Sequence, residues 1–110
     1  VYSCLNEGTL ILNYTGDITY GSIGGIAATN GYNYGNITSI LNCRNAGIIR
    51  FGNYDPSLYA FYPAMGITIG ANYHGTTGGN ILGGSMDLSN LPERCRRYAG
   101  YREIGEERNK

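Results

Sequence analysis

Charge is the scarcest property of this sequence. Asp, Glu, Lys and Arg together make up 15% of 110 residues, against roughly 25% in an average soluble domain, and eight acids balance eight bases. No basic field exists to draw in phosphate backbones or anionic lipid, so nucleic acid is not an expected partner. Long hydrophobic runs are missing too. "TLIL" and "AGII" are strand-sized and fall far short of the roughly 20 apolar residues a spanning helix needs, so no membrane insertion is expected. Cysteine is sparse: Cys4, Cys43 and Cys95 cannot all pair within one chain, and no C-x-x-C spacing offers a zinc or redox motif. His74 is the single histidine, and "GTTGGN" at 75–80 lacks the lysine of a phosphate-binding loop. Neither a metal nor a cofactor is expected. The chain opens at Val1 with no Met and no charged-then-apolar leader ahead of it, which reads as a processing or cloning boundary.

What the sequence does hold is glycine, tyrosine and asparagine, with 18 Gly and 11 Tyr in a length that fits one domain. It also repeats itself. "CLNEGTLI" at 4–11 and "CRNAGIIR" at 43–50 keep Cys, Asn, Gly and a following Ile or Leu in step, 39 residues apart. "GGIAATN" at 24–30 then aligns with "GITIGAN" at 66–72, and "GNITSILNC" at 35–43 with "GNILGGSMD" at 79–87, where the offset reaches 44. Growing offsets are read as loops inserted at corners between strands, with the extra residues around "GNYDPSLYAFYP", which carries the turn signals Asp55-Pro56 and Pro63.

Within these blocks the apolar period is two: Leu10, Leu12 and Tyr14 alternate with Ile11 and Asn13, and Ile67 and Ile69 flank Thr68. Each run is short and bounded by Gly or Asn, so strands are expected and helix is not, before residue 89. Duplicated sequence is better explained by stacking of like on like than by a sandwich, whose inward positions are set by hairpin partners. The expectation is an all-β chain, a short β-solenoid (β-helix) of two to three coils over 1–90, with Ile18, Ile26 and Ile37 each starting an aliphatic ladder. Residues 91–110 are read apart, because six of the eight bases and four of the eight acids lie beyond Ser89. That segment is either a charged cap over the last coil, starting as a short helix at Ser89 or Asn90 with Pro92 in its first turn and running to about Tyr98, or a frayed solvated tail.

The stretch "IGGIAATNGYNYGNITSILNCRNAGIIRFG" resembles a repeat written in family terms as Gly-Gly-Ile-Ala-Gly-x-Asn, then Gly-x-Ile-x-Asn-Cys-x-Asn-x-Gly-x-Ile. This is the glycine-rich GLUG-type repeat of bacterial surface and secreted proteins, and the likeness covers roughly positions 4 to 85. Position 87 is Asp where the pattern has Cys. The resemblance implies β-helical stalks or binding surfaces of extracellular bacterial proteins, commonly adhesins, rather than one chemistry.

Candidate chemistry is thin. Cys4 and Cys43 share a repeat position, so adjacent coils make them either a buried thiol ladder or a disulfide. Cys95, among Arg94, Arg96 and Arg97, is read as an incidental tail cysteine, the alternative being a thiol activated by those charges. His74 reads as a surface-loop histidine. Asp17 and Asp55 stand 38 residues apart and could share neighbouring rungs, as acids do in β-helical polysaccharide-cleaving enzymes, but no base is clustered with them and no enzyme is expected. The ligand-binding candidates are Tyr32, Tyr34, Tyr54, Tyr59, Tyr62, Asn72 and Tyr73, since aromatic faces stack on sugars while amides hydrogen-bond. The competing reading stacks those tyrosines along an outer ladder. The function these features point to is a non-catalytic structural or adhesive segment of an extracellular or cell-surface fibrous protein, bacterial or phage-like. The alternatives are a self-assembling subunit, a carbohydrate-binding module or a polysaccharide-degrading β-helix. Partners would be other copies of the chain, or a glycan or protein of a cell surface.

Overall fold

The computed structural model describes residues 1–14, 21–31, 38–54 and 62–107. The chain is all-β, and three successive passes of it supply the strands. Pass one carries β1 (Leu5–Asn6), β2 (Thr9–Tyr14), β3 (Ser22–Gly24) and β4 (Ala27–Asn30). Pass two carries β5 (Ser39–Leu41), β6 (Arg44–Asn45), β7 (Ile48–Tyr54), β8 (Ala64–Gly66) and β9 (Ile69–Asn72). Pass three carries β10 (Thr76–Gly78), β11 (Ser85–Asp87), a 3₁₀ helix at Glu93–Tyr98 and β12 (Ile104–Glu107). The strands form five small parallel sheets, ordered β1-β6, β10-β5, β11-β7-β2, β12-β9-β4 and β3-β8. Parallel neighbours cannot be joined by a hairpin, so every partner is a whole pass away in sequence.

Register follows the doubled sequence. Leu5 pairs with Arg44 and Thr9 with Ile48, both at the 39-residue offset, and Ala27 pairs with Ile69, so "GGIAATN" lies on "GITIGAN" as the alignment has it. The offset is still 39 at Leu12↔Phe51 and has become 42 at Ser22↔Ala64, which puts three added residues inside the stretch expected to hold them. The third alignment fails. Ser39 pairs with Thr76 and Ile48 with Ser85, an offset of 37, so Cys43 faces Asn80 and Asp87 lies opposite Arg50. Offsets therefore shrink after pass two instead of growing to 44. The shared Gly-Asn-Ile of 35–37 and 79–81 is compositional, whereas register is set by backbone corners. Ser3, Asn42 and Gly79 occupy one such corner in successive passes, and all three take the left-handed conformation, with φ of 55°, 56° and 66°.

Pass two is the core. From Asn42 to Phe51 exposed and buried residues alternate without a break, with Cys43, Asn45, Gly47, Ile49 and Phe51 inward and Arg44, Ile48 and Arg50 outward. That is the period of a strand carried across two corners. The inward residues meet their register partners: Leu10, Ile49 and Met86 in one column, Ile23, Met65 and Ala99 in another, Ala27, Ile69 and Ile104 in a third. Ile49, Met65 and Ile69, the middle member of each column, are fully buried, and burial of a side chain of that size stabilises by about 1.5–3 kcal/mol. Pass one, lying at one edge, leaves Leu10, Leu12 and Ile23 only half covered. Ile26 sits beside pass two, its N–H donating to Thr68 O at 2.9 Å, while Ile18 and Ile37 lie outside the described residues.

Beyond Ser89 the chain packs back onto the stack. Leu91, Cys95 and Ala99 cover Ile49, Phe51 and Met65, and Arg96 fixes the preceding turn by donating to Leu91 O at 3.1 Å and Leu88 O at 2.9 Å. Cys95 is 1% exposed, so it is a core residue and not a tail cysteine. β12 then continues the sheet of β4 and β9, with Ile104 over Ile69. No helix among the described residues is long and apolar enough to cross a membrane.

Candidate functional site

The motif that says the same thing twice builds a polar row. In Asn6-Glu7-Gly8 and Asn45-Ala46-Gly47 the amide oxygen of each Asn accepts the N–H of the Gly two residues on, at 3.3 and 3.0 Å, an Asx turn that closes the corner between two strands. Asn6 Nδ2 then donates to Asn45 Oδ1 at 2.9 Å, joining the two corners. Gly47 has to be glycine, because any Cβ there would strike the carbonyl oxygen of Gly8. The row stops at pass three, where register places Leu82, and Asn45 Nδ2 is left buried without a partner. The sequence marks these Asn and Gly as repeat positions and strand boundaries; their i, i+2 spacing is the further signal that points to an Asx-turn corner.

The neighbouring column holds the thiols. Cys4 N–H points at Cys43 Sγ at 3.4 Å, and each thiol donates to the carbonyl two residues earlier, Cys4 Sγ to Tyr2 O at 3.5 Å and Cys43 Sγ to Leu41 O at 3.3 Å. Both are free; Cys43 is buried and Cys4, at the pass-one edge, is exposed. Pass three puts Asn80 in this column, and its amide bridges passes, accepting from Cys43 N–H at 2.8 Å and donating to Ile40 O at 3.0 Å and Glu103 Oε1 at 2.9 Å. A third polar column ends in a carboxylate, with Asn72 Nδ2 donating to Gly75 O and Glu107 Oε2, both at 3.2 Å.

A groove of about 480 Å³ opens at the pass-one edge, between β4 and the Val1–Tyr2 segment that pairs with β5. Its walls include Tyr2, Thr29, Asn30 and Ser39. Asn30 is committed to the fold through a bond from its Nδ2 to Thr76 O at 3.3 Å, and the Val1 ammonium donates to Ser39 O at 2.8 Å. The groove thus offers hydroxyl, amide and strand-edge peptide groups, which bind by hydrogen bonding, and its described lining residues include no Asp, Glu, His, Lys or Cys.

Of the proposed ligand-binding residues, Tyr32, Tyr34 and Tyr59 lie outside the described residues, as do the rung-sharing candidates Asp17 and Asp55. Tyr54 ends β7 in register with Tyr14. Tyr62 stacks edge-on against Tyr98, ring centroids 6.5 Å apart, with the Arg97 guanidinium 5.0 Å over the Tyr98 ring, so it ties the approach to β8 to the 3₁₀ helix. Asn72 lies inside the stack instead of on its surface, and Tyr73 follows half-buried, its N–H donating to Asn30 O at 2.9 Å. Tyr62 and the Asn72-Tyr73 pair therefore sit at opposite ends of the β8–β9 segment. His74 is half-buried, its N–H donating to Gly31 O at 3.1 Å. Asp87 accepts the Ser89 N–H at 3.0 Å; that bond first, then the Ser89 side chain and Arg50 across the strand, hold its carboxyl below the usual range. Among the described residues no three His, Cys, Asp or Glu side chains converge in a way that could hold a metal ion. No family model, curated protein or solved structure matches this chain.

Proposed function

We propose that the chain is a short β-solenoid segment of an extracellular fibrous protein, bacterial or phage-like, of the kind the GLUG-type repeat represents, and that its work is structural and adhesive. The observation that carries this reading is that every strand pairs in parallel with the strand one pass away: 39 residues on from Tyr2↔Leu41 to Leu12↔Phe51, 42 from Ser22↔Ala64 to Asn30↔Asn72, 37 from Ser39↔Thr76 to Arg50↔Asp87 and 35 at Ile69↔Ile104. A chain that returns to the same columns pass after pass, with loops taking up the differences in length, builds a rod whose interior needs neighbours on both sides. The outward side chains of such a rod are free to carry a binding surface. A panel of polysaccharides assayed for new reducing or unsaturated ends, alongside binding of the labelled chain to bacterial and host cell surfaces, tests the reading. Surface binding without turnover is the expected result. Turnover that Asp17→Ala or Asp55→Ala abolishes in a still-folded protein overturns it.

Self-assembly is favoured as a second reading by the pass-one edge. There Val1, Tyr2, Leu5 and Ile11 are exposed, and Glu7 is the single charged side chain among the described residues from 1 to 31. Open strand edges that carry little charge recruit further strands. Sedimentation that finds concentration-dependent association, reduced by Leu5→Lys, supports this; monomer at every concentration dismisses it.

A further inference from the structure

We propose that Cys4 and Cys43 form a thiol–disulfide exchange site, in which Cys4 receives oxidising equivalents from a low-molecular-weight disulfide and Cys43 resolves the adduct, locking pass one onto pass two. The inference rests on the 39-residue register and not on the proposed function. Tyr2↔Leu41 and Leu5↔Arg44 bracket the two cysteines in the same register, so their backbones are parallel neighbours at about the 4.8 Å strand spacing, inside the Cα range that a disulfide spans. The side chains share a direction, because each thiol is drawn to the carbonyl two residues before it. Cys43 Sγ already lies 3.4 Å from the Cys4 nitrogen. Exposure divides the labour: Cys4 is open to solvent and Cys43 is buried beneath it, so a reagent in solution meets Cys4 first.

The exchange balances in two steps. The Cys4 thiolate attacks one sulfur of the reagent disulfide, the reagent's S–S bond breaks, a Cys4–reagent mixed disulfide forms, and the first reagent thiol leaves with the proton Cys4 gave up. The Cys43 thiolate then attacks Cys4 Sγ, the mixed disulfide breaks, the Cys4–Cys43 bond forms, and the second reagent thiol leaves with the Cys43 proton. The protein loses two electrons and two protons, and the reagent gains both. The bridge ties down the edge strands β1 and β2, which among the described residues have a strand partner on one side only.

The reduced full chain, incubated with oxidised glutathione and mapped by mass spectrometry, tests the proposal. No Lys or Arg precedes Arg44, so trypsin leaves both thiols in one peptide, and a second cleavage between them, such as after Glu7, separates them. The expected product has lost two hydrogens, carries no glutathione, joins the peptides of Cys4 and Cys43, and leaves Cys95 reduced. Hydrogen exchange of the amides in β1 and β2 is expected to slow on oxidation. Cys43→Ser should accumulate glutathione on Cys4, and Cys4→Ser should leave Cys43 unmodified over the same time. A glutathione adduct that persists on Cys4 of the wild-type chain, or a bridge from either cysteine to Cys95, overturns the proposal whatever the variants do.

Discussion

Leu82→Asn should make the protein more stable, although it replaces an apolar residue by a polar one. Register places position 82 over Asn45, which lies over Asn6, and the side chain now there is 46% exposed, so little packing is lost by removing it. Asn45 Oδ1 serves two donors, Gly47 N–H and Asn6 Nδ2, while its own Nδ2 is buried and unpaired. A buried donor without a partner costs about 1–3 kcal/mol, and a hydrogen bond made where none existed returns about 0.5–1.5 kcal/mol net. An Asn at 82 presents its Oδ1 to that donor in the same sense in which Asn45 meets Asn6, so the expected gain is about 1 kcal/mol, or on the order of 4 °C in unfolding temperature. Gly84 has a φ of 62°, unlike Gly8 and Gly47, so this corner turns differently and the new bond, not a third Asx turn, supplies the gain. Urea unfolding followed by circular dichroism reads the midpoint, with Leu82→Ala as the control for loss of the leucine. A Leu82→Asn midpoint no higher than that of Leu82→Ala refutes the reasoning.

Three further outcomes follow from the same geometry. Gly47→Ala should destabilise by about 1–3 kcal/mol, because the new methyl meets the Gly8 carbonyl and one pass must lift off the other; the loss should appear as a lower urea midpoint together with faster exchange at Ile48 N–H. Ser3→Asn should stabilise by about 0.5 kcal/mol, since Asn42 holds the same left-handed corner one pass on and Asn visits that conformation at lower cost than Ser. Asp87 has its carboxyl pKa lowered on folding from an ordinary value of 3.8, so its contribution is present above that value and lost as pH falls through the lower folded one. Asp87→Asn should therefore flatten the fall of stability on acidification, and variant and wild type should differ most above the ordinary carboxylate range.

The first two passes were legible because their corners are written in like residues. Asn-x-Gly builds the same Asx turn at 6–8 and 45–47, and Gly24 lies in register with Gly66, so identity along the chain and contact in space coincide. Pass three was not, because its corners reach equivalent geometry with different residues. Gly79 stands for Asn42 and Asn80 for Cys43, while β12 shares only Ile-Gly with the strand beneath it. Local composition then outweighed position, and Gly-Asn-Ile at 79–81 was matched seven residues out of place. The segment from Ser89 to Gly100 carried a quieter signal: Leu91, Cys95 and Ala99, spaced four apart among charged residues, are its buried side chains. The tyrosines gave least, because composition says that aromatics are available and not which of them, like Tyr62 against Tyr98, are already partnered.

Scalar couplings across backbone hydrogen bonds, measured on isotope-labelled protein, test the stacked register most directly. The parallel arrangement predicts coupling from Ala46 N to the Asn6 carbonyl, from Ile48 N to the Gly8 carbonyl and from Ser85 N to the Gly47 carbonyl, three bonds of 2.7, 3.2 and 3.0 Å that climb from one pass to the next. Couplings to carbonyls at other offsets, or reciprocal pairs in which two residues each donate to the other, contradict it.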